Sequence, residues 1–236
     1  MSHFVHELTH EILHVDSKLF TTLRLLMTKP GQLTADYFGG RRSRAIGPLR
    51  LFLVIFALQF LFLALLPSTS VFRVQNIEKA KPEITGSLED VAAMKHMTTD
   101  EYREQLNEKW SHTIKLLELI EVVLAGAFLS LLYRQRHLVE HFVFAAHFFS
   151  FTYLVQIITL PLRYYTGLTG PASTALTTAS VIIGVIYMSL AMKRFYERGE
   201  KLPWVRGAVG YGFTFLAQGA LMMFTIAYAM FAVTRH

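Results

Sequence analysis

Residues 113–133 read TIKLLELIEVVLAGAFLSLLY, residues 134–141 read RQRHLVEH, and residues 142–162 read FVFAAHFFSFTYLVQIITLPL. Two apolar runs, each long enough to cross a bilayer, meet at a very short connection. That connection is crowded with Arg134, Arg136, His137, Glu140 and His141, and His147 lies further along the second run. Ionisable groups inside or at the mouth of a membrane span are costly to keep there, so each is a candidate functional residue.

Composition agrees with a membrane reading. The 236 residues are 53% hydrophobic and only 17% charged, against about 25% charged in an ordinary soluble domain. The charge is unevenly spread, with long windows carrying none. The net charge of +6 comes from basic clusters beside the apolar runs rather than from a nucleic-acid-binding face. The absence of Cys excludes disulfides, thiolate metal sites and cysteine nucleophiles. The first 47 residues hold no uninterrupted apolar core of the kind a secretory signal peptide needs.

Working outward, the pattern predicts an all-α polytopic protein of about five transmembrane helices. Residues 1–47 form a cytoplasmic amphipathic region, 48–67 a first span and 68–112 an outer hydrophilic loop, partly helical. Four further spans follow within 113–233, at about 113–133, 138–162, 172–192 and 205–233. Thr98-Thr99-Asp100-Glu101 has the form of a helix start whose helix can continue unbroken into the second span. Gln59 and Gln218 are the strongly polar residues inside the first and last spans. Gly126-x-x-x-Ser130 and Ala208-x-x-x-Gly212 have the small-residue spacing of closely packed helices.

Lys and Arg set the orientation. Residues 1–50, 134–137 and 193–206 share one side of a five-span protein and hold fourteen of them. The short segments on the other side hold Arg163 and Arg235, and the six in residues 68–112 are offset by eight acids. The positive-inside rule then puts the N-terminus in the cytoplasm and the C-terminus outside.

Residues 1–20 read as an amphipathic helix with Phe4, Leu8, Ile12, Val15 and Leu19 on one side and His3, His6, His10 and His14 on the other. His6-Glu7-Leu8-Thr9-His10 matches H-E-x-x-H, the arrangement in which two imidazoles one turn apart grip zinc and the Glu activates its water. A second copy overlaps it at His10 to His14. A repeated His/Glu polar face generates the same pattern, so a headgroup-facing stripe weighs more heavily than a peptidase.

Three polar constellations remain. His137, Glu140, His141 and His147 can hold a divalent metal such as zinc, relay protons or anchor an interface. Glu121, followed directly by apolar Val122 to Leu132, is an intramembrane polar group that can meet His147 in the interior. Lys115 and Glu118 read as the edge of the bilayer. Arg41, Arg42, Arg44, Arg134 and Arg136 suit the headgroups of anionic lipids.

Several of these residues carry a resemblance. Asp16, Thr22-Leu23, Lys29-Pro30-Gly31, Tyr37, Gly40, Arg42 and Pro48, with Glu140, His141, Phe144 and His147 later, follow the pattern of an uncharacterised bacterial membrane family. This family is a domain of unknown function whose longer members begin with a zinc ribbon. The chain resembles it over most of its length but, having no Cys, lacks the ribbon. The resemblance implies membrane topology, in a bacterial inner membrane, and brings no established activity.

The reading that follows is a non-enzymatic binding, assembly or transport-related membrane module. Its partners would be anionic membrane lipids, a second copy of the chain or another membrane protein. A membrane-embedded metal-dependent hydrolase using the 137–147 cluster is the rival, and a lipid-binding protein the third.

Overall fold

The computed structural model describes residues 18–65, 74–80, 82–166, 170–196 and 203–234. The N-terminal His stripe, with His6, His10 and His14, lies outside them. The described residues are helical, with no strand among them. A helix through residues 18–28 (α1) is followed by α2 (Gln32–Phe38), a 3-10 turn at Arg42–Arg44 and α3 (Pro48–Leu65). Two short helices, α4 (Val74–Ala80) and α5 (Ile84–Met94), precede four long ones. These are α6 (Thr99–Leu132), α7 (Leu138–Thr166), α8 (Pro171–Phe195) and α9 (Pro203–Thr234).

Among the described residues, four segments are long and apolar enough to cross a membrane: Arg42–Leu65, Leu138–Leu162, Pro171–Phe195 and Trp204–Tyr228. The expected span at 113–133 is not among them, because its helical residues 115–132 contain Lys115, Glu118 and Glu121. It is the second half of α6, a single helix of 34 residues. Thr98 starts that helix with a reciprocal cap: its hydroxyl accepts from the Glu101 N–H, and the Glu101 carboxylate accepts from the Thr98 N–H at 2.8 Å.

α7 is the central helix. Just over half of its crossing segment (56%) is buried, against a third or less in the other three. α3, α6 and α8 pack on it, while α9 closes the bundle against α6 and α8. Phe144, Phe148, Phe149, Phe151 and Tyr153 of α7 run through a core completed by Leu51 and Ile55, Val122 and Leu129, and Met188 and Met192. On α6 and α9 the rings of Phe128 and Phe213 stack 3.9 Å apart. The small-residue seam of α9 differs from the expected Ala208–Gly212 pair. Gly207 makes the close approach: a Cβ there would lie 2.4 Å from the Cα of Ser189 on α8, whereas one on Gly212 would meet nothing within 4 Å. Seam register depends on which face a partner helix covers, and spacing within one helix does not specify that.

A second, smaller core caps one end. Val74, Leu88, Ala92, Tyr102, Leu106 and Trp110 bring α4, α5 and the start of α6 together over Met222 and Ile226 of α9. At the other end, Arg194 donates to the Pro30 carbonyl at 2.6 Å, Arg136 to the Phe195 carbonyl at 3.3 Å, and Arg206 lies over the Tyr133 ring. The three basic stretches of sequence therefore meet at one end of the bundle, opposite the 74–110 unit.

Candidate functional site

The α6–α7 turn is built from its own charges. Glu140, in the first turn of α7, takes an ion pair from Arg136 at 3.1 Å and the His137 N–H at 3.4 Å, a favourable place for a carboxylate at a helix start. Arg136 also lies over the Phe195 ring. The next residue, His141, is buried, and its Nδ1 is hydrogen-bonded to the Tyr196 hydroxyl at 2.8 Å. Tyr196 in turn stacks on Tyr133, 4.2 Å between centroids.

His147 faces elsewhere. Its Nδ1 is hydrogen-bonded to Thr34 Oγ1 at 2.9 Å, both groups being buried. The four residues singled out for a metal thus divide: His137 is exposed, Glu140 serves Arg136, His141 serves Tyr196, and His147 joins α7 to α2. Among the described residues no three His, Asp or Glu side chains gather as a metal site requires.

The Thr34–His147 bond belongs to a docked N-terminal segment. Thr22 Oγ1 donates to the Lys18 carbonyl and accepts the Ile46 N–H at 3.0 Å, tying α1 to the start of α3. Asp36, nearly buried on α2, accepts from Gln32 and pairs with Arg41. Arg42 lies over the Tyr37 ring and donates to its carbonyl. Of the basic cluster assigned to lipid headgroups, Arg41 and Arg42 therefore also brace the turn after α2.

A cleft of about 330 Å³ opens beside the α6–α7 turn. Arg134, Gln135, Arg136 and Arg206 line it with Tyr133 and Tyr196, and Leu131 and Leu132 continue it toward the apolar flank.

The other polar site lies inside the bundle. Glu118 and Glu121, one turn apart on α6, are both buried and face α9. They line a cavity of about 20 Å³ with Gln218 and Thr225, and one Glu118 oxygen, Oε2, is buried with no partner. Glu121 and Gln218 also line a second cavity of about 60 Å³, with Thr152, Tyr153, Gln156 and Thr214. Gln59 of α3 donates to Gln156 across the core at 2.7 Å. His147 lines neither cavity, so the expected meeting of Glu121 with His147 does not occur. Residues 148, 152 and 156 turn toward Glu121, while His147 is committed to α2.

Glu118 is the residue that sequence reasoning missed. Its proximity to Lys115 assigned it to the bilayer edge, although the three-residue step to Glu121 already put both carboxyls on one face. Gln218 and Gln59 were visible as isolated polar residues, without their partners.

Residues 16–60 match a family described as a protein of unknown function (DUF3667). No curated protein and no solved structure matches the chain. The matched segment spans the docked α1–α2 region and the first part of α3, so Thr22, Gly31, Thr34 and Asp36 all fall inside it. The match supports the resemblance to an uncharacterised family of unknown function and assigns no activity.

Proposed function

We propose that the chain is an integral membrane protein that crosses a bacterial inner membrane five times, with α6 as the fifth span, and acts as a non-enzymatic, transport-related module. One observation carries this reading: α6 is inside out. Glu118 and Glu121 are 7% and 3% exposed, while the aliphatic Leu119, Ile120, Val123 and Leu124 between and beyond them are 36–53% exposed. A helix against water turns its carboxylates out; one against hydrocarbon turns them in. Residues 113–132 would extend about 30 Å along the helix axis, the thickness of a hydrocarbon core. Exposed apolar residues on α3, α8 and α9 continue the same surface. The basic end, formed by the N-terminal segment and the 134–137 and 193–206 stretches, faces the cytoplasm.

The lack of Cys makes a direct test simple. Single-cysteine variants Gln105→Cys and Gln135→Cys, probed in intact cells with a membrane-impermeant maleimide, should react from opposite sides, Gln105→Cys from outside. Labelling of both from the same side would remove α6 from the list of spans.

A second reading concerns anionic phospholipid, and the 330 Å³ cleft favours it. Three guanidinium groups line the cleft, and Glu140 pairs with one of them, Arg136. Leu131 and Leu132 provide a path for acyl chains. The double variant Arg134→Gln/Arg206→Gln should lower retention of phosphatidylglycerol relative to phosphatidylcholine, read by native mass spectrometry. At about 1 kcal/mol per charge, the loss is roughly 30-fold. Equal retention of both lipids by the native chain would refute it.

A further inference from the structure

We propose that Glu118 and Glu121 form an interior binding site for a small hard cation, a proton or an alkali-metal ion. This rests on α6 being a span and names what that span carries. An ionised carboxylate taken out of water costs several kcal/mol unless a counter-charge or donors replace its hydration. Two such groups sit here one turn apart, both turned into the bundle, and Glu118 Oε2 is buried without a partner. Among the described residues lining the two cavities there is no Lys, Arg or His. The titratable groups that do face the pair are the phenols Tyr153 of α7 and Tyr211 of α9.

The walls are rich in acceptors. Thr225 donates its hydroxyl hydrogen to the Leu221 carbonyl at 2.7 Å, Thr214 to Tyr211 at 2.7 Å and Thr152 to Phe149 at 3.0 Å. Each hydroxyl has thereby used its hydrogen on its own helix and leaves lone pairs for the cavity. Together with Gln218 and the carboxyl groups, the described lining offers carboxyl, amide and hydroxyl oxygens against a single thioether, that of Met222, and no imidazole, a donor set that favours hard cations over soft metals. Size narrows the choice further. A cavity of about 20 Å³ accommodates one water-sized occupant. The adjoining 60 Å³ has room for a few more and shares Glu121 and Gln218 with it. Glu121 and Glu118 lie roughly 17 and 21 Å along α6 from the basic end, inside the apolar layer. The arrangement fits one exchangeable cation held between two carboxyl groups, with Glu121 placed to pass it from one cavity to the next.

The test uses the native chain in membranes and dicyclohexylcarbodiimide. This apolar reagent adds to a protonated carboxyl group and leaves a stable N-acylurea that peptide mass spectrometry locates. Labelling is expected at Glu118 or Glu121 in preference to solvent-exposed Glu101. The rate should fall as the pH is raised, because the reagent adds only to the protonated carboxyl group. Slowing with pH alone identifies the occupant as a proton. Additional slowing by sodium at fixed pH, relative to choline at equal ionic strength, identifies an alkali ion competing for the same oxygens. Absence of labelling at both residues, or labelling indifferent to pH and to sodium, overturns the site. Gln105→Cys and Gln135→Cys, read in the same membranes, keep the two ideas apart. Opposite-side reactivity without carbodiimide labelling defeats the cation site alone, whereas same-side reactivity defeats the span beneath it.

Discussion

Gly31 shows how one residue can hold an element in place. Its φ of +75° is left-handed, and a Cβ there would lie 2.5 Å from the Ala191 carbonyl oxygen and 2.9 Å from Ala191 Cα. Those are backbone atoms of α8, so they cannot rotate aside. Gly40 has a similar φ, +82°, but a Cβ on it would meet nothing within 4 Å. Gly40→Ala should therefore cost only the left-handed penalty, about 1–2 kcal/mol. Gly31→Ala pays that penalty and also forces α2 off α8, which strains the Thr34–His147 bond. The larger loss, beyond about 2 kcal/mol, should appear as a lower unfolding temperature in detergent. Equal losses in the two variants would mean that α2 does not lie against α8 as closely as the structure has it. Lys29-Pro30-Gly31 stood out in the sequence through resemblance, but Ala191, 160 residues away, carried no signal. Contacts between distant elements are where residue patterns fall silent.

At the scale of the element, α6 was legible in kind and not in register. Thr98 and Glu101 announce its start, and the apolar run to Leu132 announces a span. Both lie on one helix because nothing between them breaks it: no Pro or Gly occurs from Thr99 to Ala125. Helical spacing also puts Glu118 and Glu121 on a common face. It does not say whether that face meets lipid, water or another helix, because the answer lies on α9, in Gln218 and Thr225. The same limit applies to α7. Its His141 and His147 looked like members of one cluster, yet six residues turn the helix by about 600°, leaving them well apart in direction. One faces Tyr196 and the other α2. A helix with two occupied faces can carry two unrelated polar contacts, and a linear list of His and Glu merges them.

For the whole molecule, the decisive feature is that its two ends differ. One end gathers the basic stretches around Tyr133, Tyr196 and Pro30; the other carries the 74–110 unit with its own small core. If the first faces the cytoplasm, a protease added to one side of a membrane should see only one set of sites. Trypsin added to right-side-out vesicles should cut the 82–110 region, where Lys95 follows α5, and spare Arg134 and Arg136. In inverted vesicles the pattern should exchange. Leu106 sharpens the test, because it is 4% exposed at the centre of the small core. Leu106→Ala removes packing worth about 2–5 kcal/mol from a unit that touches the bundle mainly through α6 and two residues of α9. Cleavage at the outer end should then accelerate while the cytoplasmic sites keep their wild-type rate. If both ends are cut from one side, the five-span arrangement fails. If Leu106→Ala speeds cleavage at both ends equally, the two cores unfold together and the outer unit is part of the bundle rather than a cap on it.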